Sequence, residues 1–146
     1  MIGTLGFVIF FGLLGGIAVG LQGPLASLMS QKIGTLESVF YIHLGGTIAA
    51  LIPLIFYGGR NLSHWREVPW YALWAGALGL GAISAVSYMV PRVGVASAVV
   101  LIVAGQLLVS VILDHYGAFG ADIRVINPAR ASGLLLVFLG VWITVR

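Results

Sequence analysis

Charge is sparse along this chain, and its spacing limits what the chain can become. Seven basic and four acidic residues are spread over 146 positions, leaving uncharged stretches at 1–31, 38–59, 68–91, 93–113 and 131–145. A helix crossing the hydrocarbon core of a bilayer needs about 20 predominantly apolar residues, roughly 17–25. Four stretches reach that length. The last is short, but Arg130 and Arg146 at its ends can snorkel their charges outward. In lipid every backbone N–H and C=O must be satisfied internally, which leaves only helices and closed barrels. The stretches lack the polar–apolar alternation of a barrel strand, so the reading is all-α. Five transmembrane helices are predicted at about 3–28, 37–57, 69–90, 93–114 and 130–145, together forming one transmembrane domain over 1–146.

Composition excludes the main alternatives. The chain is 60% hydrophobic and 8% charged, with a mean hydropathy of +1.12. Soluble domains are about 45–50% apolar and about 25% charged. A soluble enzyme and a disordered tail both need more polar surface than this. With no cysteine, disulfides, thiolate nucleophiles and sulfur-ligated metals are ruled out. No Ser-His-Asp arrangement, metal-ligand cluster or phosphate-cradling loop is present, so no enzymatic activity, cofactor or metal is expected. The basic balance rests on few groups and makes no case for nucleic acid. The opening MIGTLGFVIFFGLLGGIAVG has no basic leader and an apolar run longer than a signal peptide. The first helix is therefore expected to stay in the mature protein.

The basic residues also report orientation. Five spans place Arg60, Arg66, Arg124 and Arg130 on one side, and Lys32, Arg92 and Arg146 on the other. Four against three is almost no bias under the positive-inside rule. Either weaker cues set a single orientation, or the chain inserts both ways and pairs with an inverted copy of itself. An odd helix count favours the second reading. One chain cannot hold two whole inverted repeats, whereas an antiparallel pair supplies the ten-helix unit on which many transporters are built.

Particular residues carry a family resemblance. VPRVGVASAVVLIVAGQLLVSVILDHYGAFG (Val90–Gly120) followed by NPARASGLLLVFLGV (Asn127–Val141) resembles the YdcZ family, small five-helix members of the drug/metabolite transporter superfamily. The matching features are Pro91, Arg92 and Gly94; Gly105, Gln106 and Leu107; Asp114, His115, Gly117 and Gly120; and Arg130 with Gly133. The amino-terminal half is similar more loosely, through Gln22 and Gly45–Gly46–Thr47. Where that family commonly places an asparagine four residues after the glutamine, this chain has Ala26. The resemblance implies a multi-pass protein of the bacterial inner membrane that transports a small molecule, as a dual-topology homodimer or as one partner of an inverted heterodimer.

Polar side chains at membrane depth are costly, so each has a functional and a structural reading. Gln106, deep in the fourth helix, can line a midplane site or simply bridge helices. Gln22 has the same alternatives and stands before Gly23–Pro24, where a proline can kink the helix. His43, about five residues inside the second helix, belongs to the residue type that changes charge near neutrality. It is a candidate for proton coupling or for an ordinary satisfied hydrogen bond. Trp74, Ala77, Gly81, Ser84 and Tyr88 recur at three- and four-residue steps on one face of the third helix. That stripe can wall a cavity, or it can be packing capped by interfacial aromatics. Trp65, Trp70, Tyr57, Tyr116 and Trp142 fit interfacial belts. Asp114 and Arg130 bracket one loop and read as a structural ion pair.

Gly12, Gly16 and Gly20 form two GxxxG steps that permit close helix approach. Gly133 and Gly140 share a face of the fifth helix, a spacing that resembles the dimerising helix of the small multidrug resistance family. No Asp or Glu lies deep within a span, which disfavours a cation antiporter using an embedded carboxylate. The expected function is alternating-access transport of a neutral, zwitterionic or amphipathic solute. A channel and a non-transporting membrane subunit are the alternatives.

Overall fold

The computed structural model describes residues 2–146, with side chains from Thr4 onward. Its regular elements are all helical: α1 (Ile2–Ile33), α2 (Thr35–Tyr57), a 3-10 segment at Arg60–Glu67, the single turn α3 (Trp70–Leu73), a 3-10 turn at Ala75–Ala77, α4 (Leu78–Tyr116), a short 3-10 turn at Ala118–Gly120, and α5 (Pro128–Val145). The chain divides into two compact units, one ending at Tyr88 and the other beginning at Met89.

Four helical segments are long and apolar enough to cross a membrane: Thr4–Ile33, Thr35–Tyr57, Ala75–Tyr116 and Pro128–Val145. The charge map gives five, because it divides 75–116 at Pro91–Arg92. Those two residues instead lie within helix α4. The interruption comes at Gly94, whose φ of 81° and ψ of 168° are non-helical. Only glycine occupies that region without strain.

The first helix also runs farther than the expected end near 28. Met29 to Ile33 are compatible with a helix, and the chain turns only at Gly34, with φ 98° and ψ 157°. One residue therefore replaces the loop read at 29–36. The turn is tied on both sides. Gly34 N–H donates to Ser30 O at 3.0 Å, Ser38 N–H donates to Gly34 O at 3.1 Å, and the Ser30 and Thr35 hydroxyls lie 2.8 Å apart.

Other boundaries have local causes. Gly58, in a left-handed conformation, ends α2 by donating its N–H to Leu54 O, a glycine C-cap. Asn127 caps α5 by accepting the Arg130 N–H at 2.8 Å, with Pro128 at the first helical position, where its missing N–H costs nothing.

Packing is by small residues. Ala26, Ser27, Ser38, Ala98 and Ala104 are buried, and the Ser38 hydroxyl donates to Ala26 O at 3.1 Å between α1 and α2. Phe7, Phe10, Phe11, Ile55 and Phe56 all point outward. Small residues inside and large apolar ones outside are the pattern of helices packed in lipid. Ala26 itself is 2% exposed, so this position is a helix contact rather than a polar site.

Candidate functional site

The expected third helix is broken within its span, and the break positions the site. α3 closes after one turn at Trp74 (φ −90°, ψ 5°), the 3-10 turn Ala75–Ala77 follows, and α4 starts at Leu78. Irregular backbone at membrane depth is tolerated where it is buried in protein or lines a cavity. Here it borders a groove of about 400 Å³ against α2, lined among others by Val39, His43, Thr47, Gly76, Ala77 and Leu80.

His43 spans this groove. Its Nδ1 lies 2.8 Å from Val39 O on its own helix, and its Nε2 lies 3.2 Å from Gly76 O in the 3-10 turn. The ring fits because Gly79 has no side chain: a Cβ there would sit 2.6 Å from Nε2 and 2.9 Å from Cε1. One turn farther along α2, the Thr47 hydroxyl donates to His43 O at 2.8 Å.

A second groove of about 400 Å³ opens between α1 and α2. Gln22 lines it together with Tyr41, Gly45, Gly46 and Met29. The Gln22 amide is exposed and, among the described residues, has no hydrogen-bond partner in the chain. α1 runs through Pro24. The preceding Gly23 allows α4 to approach, with Val86 Cγ1 3.3 Å from where a Cβ would be.

The remaining candidates separate. Trp74 lies in the turn before α4, so the stripe does not continue onto one helix at its aromatic end. Ala77 lines the His43 groove, while Gly81, Ser84 and Tyr88 lie on α4 proper. Ser84 is half-buried and Tyr88 exposed. Gln106 belongs to the second unit, where its side-chain amide is exposed and has no partner among the described residues; its backbone carbonyl accepts the Ser110 hydroxyl at 2.8 Å.

Asp114 and Arg130 do meet, at 3.2 Å between Oδ2 and Nη2, with both side chains about one-third exposed. Arg130 Nη1 also donates to Arg124 O at 3.0 Å, and Arg124 N–H donates to Asp114 O at 2.8 Å. The pair thus folds the 117–127 loop onto two helix ends. A Cβ at Gly12, Gly16, Gly20, Gly133 or Gly140 would meet nothing within 4 Å. Neither glycine face is covered within its own unit by the described residues.

Residue-by-residue reading of the sequence singled out His43 and Gln22 but not their surroundings. Gly76 and Gly79 are two of 21 glycines, and nothing local marks the two that receive an imidazole. Tyr41 and Ser38 gave no signal, while Thr47 was visible only within Gly45–Gly46–Thr47.

Comparison with known proteins gives a family model described as "Putative inner membrane exporter, YdcZ", which matches residues 7–143. No curated protein and no solved structure matches the chain.

Proposed function

Since the chain belongs to the YdcZ family and is a multi-pass membrane transporter of the inner membrane, we propose that it carries a small neutral, zwitterionic or amphipathic solute by alternating access, as an antiparallel dual-topology homodimer. One observation supports this above the others. Gln22 and Gln106 each present an unpartnered amide from within a long apolar helix. An unpaired amide facing hydrocarbon costs several kcal/mol, on the order of 2–7. Each therefore needs a partner from outside the chain: solute, water in a cavity, or a second copy.

The five-span reading underlies the dimer. A 42-residue segment at 1.5 Å per residue is about 63 Å long, twice a core of about 30 Å. In our reading, Ala75–Tyr116 holds two spans meeting at Gly94. That leaves an odd number of helices, and an inverted copy completes a ten-helix repeat pair. The open faces of Gly12, Gly16 and Gly20 on α1, and of Gly133 and Gly140 on α5, are where such a copy would pack. Solute class is inferred from the linings, which are mainly aliphatic, with the Gln22 amide, the His43 imidazole, the Thr47 and Tyr41 hydroxyls and no carboxylate.

Flux into proteoliposomes tests the function. A transporter saturates with solute concentration, a channel does not, and a subunit of a larger complex is silent. Single cysteines at Asn61 and Gln31, in a chain with no cysteine of its own, test the topology. Dual topology requires both to be labelled from outside in intact cells, each in part of the population. Labelling of only one ends the homodimer reading.

A further inference from the structure

A neutral imidazole has one N–H and one bare lone pair. His43 offers both ring nitrogens to carbonyl oxygens, Val39 O at 2.8 Å and Gly76 O at 3.2 Å. A neutral ring satisfies one of them and turns a lone pair toward the other. An imidazolium donates to both, and a charge-assisted hydrogen bond is roughly twice as strong as a neutral one. The two acceptors stand on different elements, α2 and the 3-10 turn before α4, so the second proton decides whether those elements are joined.

We propose that His43 is a proton-binding site whose occupancy clips α2 to the Gly76 turn across the groove between them. When the proton binds at the bare ring nitrogen, both carbonyls are engaged. When it leaves, the longer Gly76 contact is the one lost and the groove is free to widen. The proton is the ligand, and two main-chain carbonyls with a space left by Gly79 form its receptor. Among the described residues, no other titratable side chain lines the groove. The groove is otherwise lined by Val39, Phe40, Leu44, Thr47, Ala77 and Leu80 together with Gly76 itself. Neither α2 nor the segment from Ala75 to Leu80 brings a carboxylate, lysine or arginine to it.

The proposal rests on the transporter reading only for its consequence, that solute movement is linked to a proton. The site itself is tested without any solute. One measurement is 15N NMR of histidine-labelled protein in nanodiscs, with His64→Gln and His115→Gln leaving His43 as the sole signal. As the pH is raised, the expected result is a change of the His43 signal from two N–H groups to one. The carbonyl signal of Gly76 should shift in step. The second is thiol labelling of Ala77→Cys with and without Gly79→Ala, taken as a ratio at each pH so that thiol ionisation cancels. Gly79→Ala suits the helix and displaces only the ring.

At low pH the Gly79→Ala protein should label about tenfold faster, the size expected for losing one hydrogen bond to a charged group. At high pH the two should converge. A His43 signal that stays in one neutral form throughout, or a ratio independent of pH, overturns the proton site while leaving saturable flux to stand. A second N–H at low pH and a pH-dependent labelling ratio in a protein that moves no solute uphold the proton site and overturn the transporter.

Discussion

Asp114 holds its loop from two atoms at once. Its carboxylate takes the Arg130 guanidinium and its main-chain carbonyl takes the Arg124 N–H, while Arg130 returns to the Arg124 carbonyl. Asp114→Asn keeps the shape and removes the charge. For a pair one-third exposed we expect a loss of about 1 kcal/mol, read as a lower unfolding temperature in detergent, with the solute range unchanged. Gln22→Leu should behave in the opposite way. No hydrogen bond within the chain is lost, so stability is kept or raised, while flux falls about tenfold for the loss of one contact to solute. A destabilised Gln22→Leu protein with normal flux would make the amide structural. At this scale the sequence marked which polar residues fall within long apolar stretches. It did not show the partners, because a carbonyl acceptor belongs to every residue and leaves no mark in the sequence.

Among the elements, two glycines do what no other residue can. Gly34 and Gly94 have φ of 98° and 81°. Gly94→Ala meets no steric obstacle, since a Cβ there has nothing within 4 Å; its cost is backbone strain of about 1–3 kcal/mol. Gly105→Ala is the control. It too has open space, but its backbone is helical, so alanine should stabilise by up to about 1 kcal/mol. Thermal unfolding of the two variants separates conformation from packing. The apolar stretches themselves were legible from charge spacing, because hydrocarbon excludes charge wherever it falls. Their breaks were not. Pro91 and Arg92 look like a turn, yet helical bonding continues through them to Gly94. Trp70 to Ala77 reads as continuous helix because hydropathy reports the side chains and not how each N–H is bonded.

For the whole molecule, the near balance of basic residues makes a prediction by itself. Asn61→Lys changes four against three to five against three and should bias insertion, with the 58–68 loop held on the cytoplasmic side. Under the antiparallel reading, a uniformly oriented population loses flux, and coexpression with a copy biased the other way restores it. Labelling of Gln31→Cys in the same background monitors the orientation. At this scale the sequence made the family legible through its resemblance. The open glycine faces were not legible from it, since GxxxG spacing is the same whether the partner lies within the chain or outside it.

The joint at Gly34 bears on how such a molecule moves. A single residue with hydrogen bonds on either side has no slack, so α1 and α2 turn together as one lever. Under the alternating-access reading, rocking of the groove walls is then taken up beyond Tyr57, in the run of short 3-10 and single-turn segments from Gly58 to Ala77, where the wall opposite His43 begins.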